Sequence, residues 1–168
     1  ALDVQSMDSG GFTLVVDDQF AASYRIHYLA LGGDDITDVY IGSASEPAAT
    51  GNQAISAVGF QPDFLLIASA WTSSAASGTL ALSLGAASGA SNQAVWAAGH
   101  DDAQTTAAPY SYSRGGEILA RIVSGATLSR ASLSSFDTNG FTLNWSERNS
   151  TPPYYYLALK GGSYHVNE

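Results

Sequence analysis

The chain has 168 residues, a formal net charge of −9, six basic residues and no cysteine. The acidic balance argues against nucleic-acid binding, which needs a basic patch to neutralise phosphates, and the missing cysteines exclude disulfides and thiolate metal sites. Charged residues make up 12% of the chain against 45% hydrophobic ones, so much of the surface must be Ser, Thr, Ala, Gly, Asn and Gln, and no window reaches the ~18 apolar residues of a membrane span.

Leu2, Val4 and Met7 precede a turn at Ser9-Gly10-Gly11, and Phe12, Leu14 and Val16 then alternate with Thr13, Val15 and Asp17. That period of two predicts a hairpin with one buried face. A strand is expected over Tyr24–Leu31, stopped by Gly32-Gly33, and another over Ile36–Gly42. The run 43–51 carries Pro47 and Gly51 and little apolar bulk, and reads as linker-like. Ala54–Val58 is expected as a short strand. Phe64-Leu65-Leu66-Ile67-Ala68 is continuously apolar, as a strand covered on both faces would be.

Trp71 opens what reads as a small-residue loop, Thr79–Gly85 alternates as a strand with a turn from Gly85, and Asn92–Ala98 is a further strand. Gly99–Gly116 reads as a long polar and aromatic loop, and loops of that length are often functional. Glu117–Ser124 is assigned as strand, and a second hairpin follows Phe136. With no sustained i, i+3, i+4 stripe anywhere, the expected fold class is all-β: an antiparallel β-sandwich, jelly-roll-like.

Part of the chain is written twice. Asp8-Ser9-Gly10-Gly11-Phe12-Thr13-Leu14, followed by Tyr28-Leu29-Ala30-Leu31, returns as Asp137-Thr138-Asn139-Gly140-Phe141-Thr142-Leu143, followed by Tyr156-Leu157-Ala158-Leu159. The offset is 129 at the first block (141 minus 12) and 128 at the second (156 minus 28). One hairpin-plus-strand unit is therefore used twice. The expected organisation is a half-unit at 1–42, the closing half of a first repeat, then the 43–51 linker and a complete sandwich at 52–168. A hairpin plus one strand cannot bury its own apolar face, so residues 1–33 are expected to dock, first into the sheets of the same chain and otherwise onto a neighbouring protomer. The chain starts within a strand-like alternation and without Met, which fits initiator removal, proteolysis and trimming alike.

Val58-Gly59-Phe60-Gln61-Pro62-Asp63, with the Phe136–Leu143 hairpin and Tyr156–Gly161 downstream, resembles a β-rich domain of virion proteins of tailed bacteriophages. The resemblance spans about residues 51–162. It implies a structural protein of the particle surface, tail-associated or decorating the head, located on the virion and partnered by other virion subunits, including copies of itself. It brings no catalytic residues.

Read for chemistry, the chain lacks the G-x-S-x-G, H-E-x-x-H and P-loop patterns, and it is not expected to be an enzyme or to hold a cofactor. His100-Asp101-Asp102 and Asp34-Asp35-x-x-Asp38 read as solvated loop carboxylates, with no metal expected. The alternative function is a carbohydrate- or receptor-binding module touching a host surface glycan, since aromatic faces stack on sugars. Its candidate ligand-binding residues are Trp71, His100, Tyr110, Tyr112 and Arg114. Trp96 and Tyr156 are expected in the core.

Overall fold

The computed structural model describes residues 2–17, 31, 33–72, 80–101, 108–123 and 126–166, and these divide between two compact units, Ala1–Leu31 and Gly32–Glu168. The first unit contains β1 (Leu2–Asp8) and β2 (Gly11–Val16), an antiparallel hairpin forming its own two-stranded sheet. The predicted strand from Tyr24 lies outside the described residues except for Leu31. Among the described residues these two strands pair with each other only.

The second unit is the antiparallel sandwich that the alternation predicts. Its strands are β3 (Ile36–Ser45), β4 (Gly51–Ile55), β5 (Phe64–Thr72), β6 (Leu80–Gly89), β7 (Asn92–Asp101), β8 (Ala108–Gly115), β9 (Leu119–Val123), β10 (Ala126–Asp137), β11 (Gly140–Glu147) and β12 (Pro153–Gly161). A smaller sheet has the order β4-β11-β10-β9 and a larger one the order β3-β12-β5-β6-β7-β8. The core lies between them, where Leu65 and Ile67 from β5 and Tyr154 and Tyr156 from β12 meet Leu133, Phe141, Leu143 and Trp145. A smaller cluster joins Val95 and Ala97 to Ala120 and Ile122.

The short strand expected over Ala54–Val58 is β4, shifted to Gly51–Ile55, and three further boundaries differ for local physical reasons. The 43–51 passage does not divide two units: β3, held along β12 from Ile36 to Ser45, runs into it as far as Ser45, residues 46–50 form a short connection, and β4 begins at Gly51. Gly85 does not end β6 and Gly99 does not end β7. Both are mid-strand glycines over which β9 and the residue before it pass so closely that an added Cβ would lie 1.8 Å from the Ile118 carbonyl oxygen at Gly85 and 2.4 Å from that of Ile122 at Gly99. The Gly99–Gly116 loop is consequently two paired strands, β7 and β8, whose connection at 102–107 falls outside the described residues.

The two hairpins match pair for pair. In β1–β2 the partners are Leu2 with Val16, Asp3 with Val15, Val4 with Leu14, Ser6 with Thr13, Met7 with Phe12 and Asp8 with Gly11. Adding 129 to each number gives the register of β10–β11, including the bulge, which falls after Val4 in one and after Leu133 in the other. The turn chemistry repeats as well. Asp8 accepts from Ser6 Oγ at 3.0 Å and Thr13 Oγ1 at 2.9 Å, as Asp137 accepts from Ser135 and Thr142, both at 2.7 Å.

Candidate functional site

The residues chosen from sequence do not converge. Trp71 sits at the end of β5, half-buried, with the Arg121 guanidinium 5.0 Å from its ring centre, instead of standing out on a loop. Tyr110 and Tyr112 lie on the inward side of β8 against the Val95–Ala97–Ala120–Ile122 cluster, so one face of each ring is spent on packing. Tyr112 donates to Glu117 Oε2 at 2.8 Å, and Arg114 reaches Glu117 Oε1 at 3.7 Å, which brings these two predicted residues together in a partly buried charged cluster with Arg130 and Glu147. His100 points the other way, beside Leu80 and Pro109. Asp102 and the side chain of Asp101 are outside the described residues. Among the described residues, no three His, Asp or Glu side chains are grouped to hold a metal.

Three polar arrangements escaped the sequence reading because each joins positions distant in the chain. Gln53 of β4 accepts from Trp145 Nε1 at 2.9 Å and Tyr154 Oη at 3.0 Å and donates to the Ser45 carbonyl, tying the two sheets together. Gln93 of β7 bridges the layers to the backbone of Leu133, donating to its carbonyl at 3.1 Å and accepting from its N–H at 2.6 Å, next to the β10 bulge. Buried Glu46 accepts from Ser129 Oγ at 2.6 Å and faces Arg121 Nη2 at 3.5 Å, while Arg121 also donates to Ser129 at 2.9 Å. Burial pushes the Glu46 carboxyl above its ordinary range, and the Ser129 hydrogen bond and the Arg121 charge only partly offset this. Among the described residues, Glu46 Oε1 and Arg121 Nε have no hydrogen-bond partner. All three side chains are buried, and together they join the segment after β3 to β9 and β10 as a brace.

The feature that stands apart is the outer face of the large sheet. On β6, Ala81, Ser83, Gly85 and Ala87 point into the core and Leu80, Leu82 and Leu84 point out. On β7, Val95 and Ala97 point in and Trp96 points out, 47% exposed, which corrects its expected core position. Tyr156 is in the core as expected. The reversal goes with the chain at Ile118–Ile122, whose backbone lies so close to β6 and β7 that no side chain fits beneath it at Gly85 and Gly99.

Strand pairing aligns the outward residues into rows that cross all six strands. One row runs Ser43, Tyr155, Ala68, Leu84, Trp96, Ser113, and the next Ile41, Leu157, Leu66, Ala86, Ala94, Gly115. Among the described residues, the outward positions of these strands hold no Asp, Glu, Lys or Arg. Val39, Ile41, Leu80, Leu82, Leu84, Trp96 and Tyr155 are each more than two-fifths exposed. Leu66 and Ala68, read from sequence as buried on a second face of β5, are half-covered members of this surface. At one end the chain's own tail lies on it: Tyr164 stacks on Phe64 with ring centres 4.6 Å apart, and Val166 lines a hollow with Leu66, Ala86 and Trp96.

No family model, no curated protein and no solved structure matches the chain.

Proposed function

We propose that the protein is a structural component that works by assembling with copies of itself through the outer face of its large sheet. The observation that carries this reading is the uncharged apolar surface on a chain whose net charge is −9. Two copies repel each other across most of their surfaces, and this face is where they meet without that cost. Monomeric soluble proteins rarely expose large contiguous apolar patches, and such patches mark interaction sites. Five inter-strand spacings of ~4.8 Å and three outward steps of ~6.8 Å along β6 give a footprint of about 24 by 20 Å. That is about 1,000 Å² for a pair, the lower limit expected of a specific interface.

The phage-particle setting comes from the sequence resemblance, and the assembling face supports it as the chemistry a particle subunit needs. The candidate residues of the glycan-binding alternative form no exposed aromatic platform, and assembly is the better supported reading. Light scattering across a concentration series tests it. The intact chain should pass from monomer to dimer or larger species, and Trp96→Glu should stay monomeric at an unchanged melting temperature. A wild-type chain that remains monomeric at the highest soluble concentration overturns the proposal, and co-sedimentation with purified phage particles tests the setting separately.

A further inference from the structure

β12 runs out into two consecutive left-handed glycines, Gly161 at φ +80° and Gly162 at φ +75°. Other residues rarely adopt that conformation, and at Gly161 an added Cβ would also lie 2.0 Å from the Asp35 carbonyl oxygen. The pair turns the chain out of the sheet and back across its outer face. Tyr164 stacks there on Phe64, at the start of β5, and Val166 reaches the hollow that Leu66, Ala86 and Trp96 line across β5, β6 and β7. The alternate residues, Ser163 and His165, are exposed. With its larger side chains turned down and its polar ones up, the segment 163–166 lays a polar surface over an apolar one.

The segment is held by side chains and not by its backbone. It crosses strands instead of running beside one, so its amides join no ladder. Among the described residues, the last amide of this stretch with a partner is that of Gly161, which donates to Asp63 Oδ2 at 2.8 Å. Tyr164 Oη is shut away from solvent with no hydrogen-bond partner among the described residues, a cost that ends when the ring lifts off. A cover with no main-chain bonds and an unpaired hydroxyl is a cover that a better-fitting surface can replace.

We propose that residues 163–166 are a displaceable strap, and that the strip beneath them, Phe64, Leu66 and Ala86 with the flank of Trp96, is the part of the assembling face that a second copy of the chain takes over. This rests on the assembly reading given above. The strip is continuous with that face: strand pairing puts Leu66 and Ala86 in one row with Ile41 and Leu157, and Trp96 in the next with Leu84 and Tyr155. Strap and second copy compete for it, so the apparent affinity between copies is the intrinsic one reduced to the fraction of chains with the strap lifted. A stacked aromatic pair shifts such an equilibrium by about 2- to 12-fold, and with Val166 added the closed strap should weaken association by about tenfold.

The test compares the full chain with a Tyr164→Ser, Val166→Ser double variant and with a chain ended at Gly162. In dilute monomer, hydroxyl-radical oxidation of Phe64 and Trp96 should rise by about twofold or more in both altered chains, a readout that does not depend on association. In light scattering, the dissociation constant between copies should fall by about tenfold. A synthetic peptide of residues 162–168, added in excess to the chain ended at Gly162, should reverse that gain, and the same peptide with Tyr164→Ser should not. The strap is overturned, with the assembly reading intact, if Phe64 and Trp96 oxidation is unchanged, if the altered chains associate as weakly as the wild type or more weakly, or if the peptide has no effect. If none of the three chains associates, the assembly reading itself fails and the strap's role with it.

Discussion

Replacing Gly140 and Gly11 by alanine, one at a time, separates the two hairpins by a single methyl group. At Gly140 the new Cβ would sit 1.8 Å from the Ile55 carbonyl oxygen and 3.0 Å from its carbon, and both belong to backbone, so β4 must move away. Overpacking of this kind costs about 1–3 kcal/mol, and the upper end applies because a strand and not a side chain has to shift. At ~2–4 °C per kcal/mol for a unit of this size, the expected drop in melting temperature is about 6–12 °C. At Gly11 the same methyl meets nothing within 4 Å, and removing a glycine from a strand leaves stability unchanged or raises it by about 0.5–1 kcal/mol. Chemical denaturation followed by tryptophan fluorescence reads the loss at Gly140, because Trp71, Trp96 and Trp145 all lie in the second unit, and should show no loss there for the Gly11 variant. Equal effects at the two positions, or a Gly140→Ala cost below about 0.5 kcal/mol, would refute the claim that this glycine exists to seat β4.

Gln53→Ala leaves the Trp145 and Tyr154 donors without an acceptor and should cost about 2–4 kcal/mol in urea denaturation, with Gln53→Glu milder because it keeps both acceptors. Arg121→Met strands the Glu46 carboxylate and should cost about 3–5 kcal/mol at neutral pH, whereas combining it with Glu46→Leu should recover most of the loss. The pH dependence has a definite sign: because burial raises the folded-state pKa of Glu46 above the ordinary 4.5, the native state binds this proton more readily than the unfolded chain. Its contribution is fully present below 4.5 and is lost as pH rises through the raised value, so the midpoint difference between wild type and Glu46→Gln should shift in favour of wild type as pH falls from 7.5 towards 4.5.

The repeat was legible down to its register because Asp-x-x-Gly-Phe-Thr-Leu encodes a local object, a turn and the two strands it joins. The strands of the large sheet were legible from their alternation, but their polarity was not. Leu80, Leu82 and Leu84 alternate with Ala81, Ser83 and Gly85, and a period of two says that there are two faces without saying which one is the core. The usual rule, large residues inside, fails here because β9 and the residue before it approach β6 and β7 through the backbone of Ile122 and Ile118, a contact between segments more than 20 residues apart. The same cause hid the extent of β7, since Gly99 looks like a loop start until the strand passing over it is known. Gln53, Gln93 and the Glu46–Arg121 pair were invisible for a related reason: an isolated polar residue in a strand has no local signature of the partner it will meet.

The central claim, that the outer face of the large sheet is a subunit interface, is tested most directly by hydroxyl-radical footprinting of the intact chain at low and high concentration. Oxidation of Trp96, Tyr155, Leu82 and Leu84 should fall as the concentration rises, while Leu128 on the smaller sheet stays constant. Unchanged oxidation of those four residues in a sample that has associated, or protection appearing at Leu128 instead, would contradict the account.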